Sequence, residues 1–178
     1  MTETELNEKM KRIRLVILDV DGVLSDGAIC IGNEGECFKR FHVRDGLGIK
    51  MLQKAGIPIA IITGRSSKIV EERARELGIE LLFQNERFKV PAYERLLEKL
   101  GLRDDEVAYM GDDVPDLALL KRAGFACCPA DADHMVVPFV DFQAPFDGGR
   151  GAVRAMAEKI LRAQGVWEEL IEKTYVNP

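Results

Sequence analysis

Five apolar, β-branched stretches recur along the chain, at residues 14–20, 57–63, 79–83, 107–110 and 124–128. Continuous apolar runs of this length are the pattern of strands buried on both faces of a parallel sheet. Segments 46–55, 67–77, 91–100 and 114–122 lie between them and carry a helical pattern. Strand and helix alternating at this spacing predict βαβ units around a parallel sheet. Residues 28–40 are the exception: they alternate around Gly32-Asn33-Glu34-Gly35 and predict a β-hairpin within 28–41. Gly148-Gly149 leads into a predicted helix over 152–163, and Gly165 sets off a short amphipathic tail over 165–178. Residues 1–12 read as a polar extension. The expected fold is a single α/β domain over 1–178, an open parallel sheet flanked by helices with one inserted hairpin.

In such sheets ligands bind beyond the carboxyl ends of the strands, and the chemistry-bearing residues of this chain fall there. Asp19 and Asp21 close the first strand, Thr63-Gly64 the second, and Gly111-Asp112-Asp113 follows residues 107–110. Lys89 stands just past residues 79–83, at the head of a helix. Residues two apart at a strand end point the same way, so Asp19 and Asp21 reach one mouth. Asp112 makes a third convergent carboxylate, an oxygen-rich set suited to magnesium. Thr63-Gly64 offers a hydroxyl and backbone N–H groups to a phosphate, or else caps the next helix. A lysine at a helix head opposes the helix dipole, a misfit that a phosphate would relieve. Asp113 and Asp116 divide between capping the helix at Val114 and supporting the metal from behind.

The composition narrows the partners. A net charge of −5 argues against a nucleic-acid or membrane surface, and 47% apolar residues in 178 are enough for a core. The first fourteen residues carry no apolar signal segment, which gives a cytoplasmic reading. Cys30, Cys37, Cys127 and Cys128 show no C-x-x-C spacing, so zinc is not expected. With a four-residue loop at 32–35, Cys30 and Cys37 would face each other across the hairpin.

The segments L-V-I-L-D-V-D-G-V-L-S-D-G and I-T-G-R, the single lysine, and G-D-D-V-P-D resemble the four motifs of the haloacid dehalogenase superfamily, from about residue 13 to 164. The resemblance implies Asp19 as nucleophile and Asp21 as general acid/base. It implies magnesium on Asp19, Asp112 and the backbone carbonyl of Asp21, with Thr63, Gly64 and Lys89 on the phosphoryl oxygens. The intervals 26–63 and 63–89 leave no room for the cap domain that small-substrate members insert. A phospho-accepting receiver module, which also uses aspartate, threonine and lysine, is the non-enzyme alternative.

Within the superfamily, Gly32–Glu36, Phe41–Gly46, Thr63–Ser66 and Gly148–Gly151 resemble the capless phosphatases of 3-deoxy-D-manno-octulosonate 8-phosphate (Kdo 8-phosphate), a lipopolysaccharide precursor. The resemblance implies a sugar-acid phosphate bound by His42, Val43, Arg44, Asp45, Gly46, Lys50, Arg65, Arg73 and Lys89. The nine-carbon sugar-acid phosphatases have glutamate where this chain has Arg65. Two departures are visible: Leu47 and Lys50 replace an aromatic and an arginine, and Gln84-Asn85-Glu86 lacks an expected glycine. An uncapped mouth implies a homo-oligomer, a tetramer, in which hairpins pair between subunits. In that reading the glycine-rich 148–151, with Arg150, and the tail reach outward to a neighbour.

Overall fold

The computed structural model describes residues 2–177. Its elements are α1 Glu3–Lys11, β1 Leu15–Leu18, β2 Cys30–Gly32, β3 Gly35–Phe38, α2 Val43–Lys54, β4 Ile59–Ile62, α3 Lys68–Leu77, β5 Leu81–Phe83, α4 Val90–Leu100, β6 Val107–Met110, α5 Leu117–Leu120, β7 Phe125–Cys128, β8 Phe142–Gln143, α6 Ala152–Ala163 and α7 Trp167–Ile171. Six strands form one parallel sheet in the order β5-β4-β1-β6-β7-β8. β2 and β3 form the separate antiparallel hairpin. The expected α/β architecture is therefore present, with β1 in the interior of the sheet.

Every side chain of β1, β4, β6 and β7 is buried. Along β1, Val16 and Leu18 join one apolar cluster with α2, α3 and α6. Leu15 and Ile17 face the other way, into a second cluster with Tyr93 and Leu96 of α4 and Leu119 of α5. Each such side chain contributes roughly 1.5–3 kcal/mol by leaving water. The two layers clamp the strands, and only their carboxyl ends remain open for chemistry.

Several local features differ from the sequence reading. Within the polar N-terminal extension, Thr2 and Glu5 form a capping box for α1, and Met10 is buried. The helix expected over 114–122 is reduced to a 3₁₀ turn, Val114–Asp116, followed by the short α5. β8 is a two-residue edge strand, too short to leave a periodic signal. In the hairpin Gly32 pairs with Gly35, so the loop has two residues, and a register shift beside Cys30 sets that residue opposite Phe38. Cys30 and Cys37 therefore do not face each other, and all four cysteines are free.

The glycines of 148–151 pack inward, while Arg150 among them is exposed. Gly149 N–H donates to Val23 O at 2.8 Å, and Gly148 N–H donates to Asp131 at 2.9 Å. A side chain on Gly148 would run into the carbonyl of Gly22. These glycines serve close approach to the turn after β1, and Arg150 lies near Asp26 of its own chain. In the tail, Trp167 is buried, and Thr174 accepts from Lys54 at 3.3 Å. No helix among the described residues is long and apolar enough to cross a membrane.

Candidate active site

The carboxyl ends of β1, β4 and β6 and the loop after β5 enclose one cavity of about 370 Å³. Asp19, Asp21, Thr63, Gly64, Lys89 and Asp112 all line it. Thr63 is buried, while Ser67 caps α3 by accepting from Val70 N–H, so the capping role once open to Thr63 belongs to Ser67. Lys89 occupies the N-cap position of α4, yet only 5% of it is exposed. Its Nζ donates to Asp19 Oδ1 at 2.7 Å, to Asp116 Oδ1 at 2.6 Å and to the Tyr109 hydroxyl at 3.3 Å. A buried ammonium at a helix head is tenable because two carboxylates meet it.

Asp116 is the most deeply placed acid of the site. Its Oδ2 accepts the backbone N–H groups of Asp112 and Asp113 at 3.0 and 3.2 Å, while Oδ1 faces Lys89 and Tyr109. It thus shapes the Gly111-Asp112-Asp113 turn from behind. Asp113 is exposed and caps the 3₁₀ turn through Val114 N–H. The motif glycines make room: side chains on Gly22 and Gly111 would strike the carboxyl groups of Asp112 and Asp116, respectively.

Oxygens of Asp19, Asp112 and Asp116 lie within 4.8 Å of one another. Three carboxylates against one ammonium leave uncompensated negative charge in a partly desolvated place. Burial, with the neighbouring Asp19 and Asp116, pushes the Asp112 carboxyl up to about 8. Burial likewise raises Asp19 to about 6, against the pull of Lys89. Such a cluster fits a hard divalent cation, which would restore the charged forms. The Asp21 carboxylate is not part of it; that side chain pairs with Lys39 and stands 3.7 Å from Arg65 Nε.

Arg65 is half-exposed at the cavity rim, and Arg87, from the loop before Lys89, also lines the cavity. That loop is pinned by Asn85 N–H donating to Arg65 O at 3.3 Å and Glu86 N–H to Thr63 O at 3.0 Å. Asn85 holds φ +60°, the left-handed conformation that glycine favours and asparagine tolerates. The missing glycine therefore leaves the approach to Lys89 intact.

The remaining candidates lie outside the cavity lining. His42 caps α2, accepting from Arg44 N–H through Nδ1 at 3.3 Å, and Val43 and Arg44 are exposed beside it. Asp45 is buried and accepts from Gly151 N–H at 3.1 Å and Arg154 N–H at 2.8 Å, giving α6 the cap its own Gly151 cannot provide. Gly46 makes room for Arg73, whose guanidinium pairs with Glu76 at 2.7 Å and stacks 5.6 Å over Phe41. Lys50 donates to Leu77 O at 2.7 Å, closing the far end of α3. Within one chain none of these residues lines the cavity.

Residues 42–124 match the model of the haloacid dehalogenase-like hydrolase family. The 3-deoxy-D-manno-octulosonate 8-phosphate phosphatase of Salmonella typhi is 46% identical over 93% of this chain and 88% of that protein. The chain belongs to the 3-deoxy-D-manno-octulosonate 8-phosphate phosphatase family. Solved structures agree. The Moraxella catarrhalis phosphatase of that name, in complex with magnesium, phosphate and Kdo, superposes with a TM-score of 0.93 at 42% identity, covering 97% of this chain and 99% of that one. The cobalt-bound Haemophilus influenzae enzyme gives 0.87 at 43% identity, over 89% and 93% of the two chains. Membership in this phosphatase family sets aside the receiver-module alternative.

For a phosphatase of this family, the raised carboxyls make a signed prediction. Folded Asp19 and Asp112 hold protons above the ordinary 3.8, which the unfolded chain has already released. Their contribution to stability is therefore complete below about pH 4 and is lost as pH rises through about 6 and 8. A bound divalent cation reverses this by favouring the ionised forms. The magnesium-induced rise in Tm should be larger at about pH 8 than at about pH 6. Thermal melts with and without magnesium measure it, and a rise independent of pH would contradict the assignment.

Proposed function

We infer that the protein hydrolyses Kdo 8-phosphate to Kdo and phosphate in lipopolysaccharide precursor synthesis, with magnesium as cofactor. The observation that carries the reading is Asp19 at the floor of a cavity it shares with Asp112, Thr63 and Lys89. Asp19 acts as nucleophile, which divides hydrolysis into two easier displacements at phosphorus. Asp21 gives its proton to the leaving alkoxide, then takes one from the attacking water. Lys89, Thr63 and the Gly64 N–H hold phosphoryl oxygens, and Asp116 keeps Lys89 and the Asp112 turn in place. Magnesium held by Asp19, Asp112 and the Asp21 carbonyl supplies the charge neutralisation that lets a carboxylate approach a phosphate.

Arg65 and Arg87 at the rim suit the second anionic group, the sugar-acid carboxylate. The chain is read as cytoplasmic, where its four free cysteines stay reduced. It is also read as a homotetramer. Ile29, Ile31 and Phe38 of the hairpin and Val43 beside it are 54%, 70%, 53% and 80% exposed, an apolar surface that pairing hairpins would cover.

Purified protein with magnesium should release phosphate and Kdo in equal amounts, and excess chelator should abolish release until magnesium is restored. Arg65→Glu should cut kcat/KM on Kdo 8-phosphate by about 10- to 100-fold, the loss of one charge-assisted contact. On a small aryl phosphate the change should stay within about threefold. No turnover of Kdo 8-phosphate would refute the substrate. Equal losses on both substrates would make Arg65 a general phosphate ligand.

A further inference from the structure

The hairpin β2–β3 leaves most of its side chains in solvent, but two charged ones turn inward. The Lys39 side chain is 1% exposed. Its Nζ pairs with Asp21 Oδ1 and, at 3.1 Å, with Glu36 Oε1. Glu36 in turn accepts from the hydroxyl of Ser67, the residue that caps α3. A continuous polar chain therefore runs from the head of α3, through the hairpin, to the second carboxylate of the site. A lysine on a solvated hairpin gains nothing by burial, since its flexible stem loses entropy and its ammonium loses water. Two carboxylates that fix it offset that cost.

We propose that Lys39 is a positioning residue for Asp21, and that the hairpin is thereby part of the catalytic apparatus. The inference rests on the roles assigned above to Asp19 and Asp21. In the first step an Asp19 oxygen bonds to phosphorus, the ester P–O bond breaks, and the departing alkoxide takes the Asp21 proton. In the second, water oxygen bonds to phosphorus, its proton passes to Asp21, and the bond from phosphorus to Asp19 breaks. Both transfers need the Asp21 carboxyl within hydrogen-bond reach of a moving oxygen. Asp21 is a short, partly exposed side chain; the Ser25 hydroxyl reaches its Oδ1 only at 3.5 Å, and Lys39 makes the one contact to it from a buried cation among the described residues. Arg65, at 3.7 Å and half-exposed, is too far for a hydrogen bond and too loosely held to fix the carboxylate.

The test compares an alkyl ester, Kdo 8-phosphate, with p-nitrophenyl phosphate, whose leaving group departs without a proton. kcat/KM reports the steps up to ester cleavage. Lys39→Met should lower kcat/KM on the alkyl ester by about 10- to 100-fold and on the aryl ester by less than about threefold. kcat should fall on both esters, because hydrolysis of the aspartyl-phosphate also needs Asp21. Asp21→Asn is the reference and should show the same split in stronger form. Glu36→Gln keeps Lys39 but loosens its tether, and should show the split more weakly; it decides the question if Lys39→Met does not fold. A folded Lys39→Met, or in its stead Glu36→Gln, that lowers both esters equally while Asp21→Asn shows the split would overturn the role of Lys39 alone. Absence of the split in Asp21→Asn overturns the Asp21 assignment and the Lys39 proposal with it.

Discussion

Asp19→Asn should lower kcat on Kdo 8-phosphate by about 10⁴-fold or more, with the fold retained. The substitution keeps shape and one acceptor oxygen toward Lys89 but removes the nucleophilic charge. Burial already resists ionisation of Asp19, raising it to about 6, so losing that charge does not strand a stabilising one. Lys89 also keeps Asp116 at 2.6 Å as its counter-ion. The unfolding free energy should accordingly change by no more than about 1 kcal/mol. Steady-state rates paired with urea unfolding separate the two effects. Retention of a tenth of the wild-type rate would remove Asp19 from the reaction.

The largest stability loss should come from Asp116→Ala. That side chain is 1% exposed and serves Lys89, Tyr109 and two backbone N–H groups together. Its removal leaves a buried ammonium with one partner and the Asp112–Asp113 turn with unsatisfied donors. Breaking a buried pair in this way costs about 3–5 kcal/mol. kcat should fall with it, by about 100-fold or more, because Lys89 and Asp112 lose their placement. Asp116→Asn, which preserves an acceptor for the turn, should be distinctly more stable than the alanine variant. Urea midpoints at constant m-value give the comparison. A loss below about 1 kcal/mol in Asp116→Ala would show that the turn is held by other means.

The sheet and its chemistry were legible because both rest on local pattern. Buried strands such as Leu15–Leu18 have no polar positions, and their ends carry acids and glycines at fixed offsets. The 3₁₀ start of the segment after Asp113 was not legible, since helical apolar spacing does not distinguish a short α5 from a longer helix. Lys39 gave no signal either. In sequence it is one cation of Lys39-Arg40 on a polar hairpin, and only the tertiary fold brings it to Asp21, eighteen residues away. Nor were the contacts of Asp45 and Lys50 within the chain legible. The resemblance named both as substrate-site residues, and only the tertiary fold joins Asp45 to the start of α6 and Lys50 to the end of α3. Arg87 was overlooked because a loop arginine before a helix reads as solvated; the turn of Asn85 carries it to the mouth.

The central claim, a phosphoryl group carried on Asp19, is tested most directly by trapping it. Asp21→Asn lacks the base for the second step, and p-nitrophenyl phosphate needs no acid in the first, so incubation with magnesium and this ester should leave phosphate covalently on the enzyme. Acid-quenched intact-mass measurement should show the addition of one phosphoryl group, and peptide mapping should locate it on Asp19. The same addition should be absent from the double variant Asp19→Asn, Asp21→Asn. Phosphate found on another residue, or product formed by Asp21→Asn with no adduct at any time, would contradict the account.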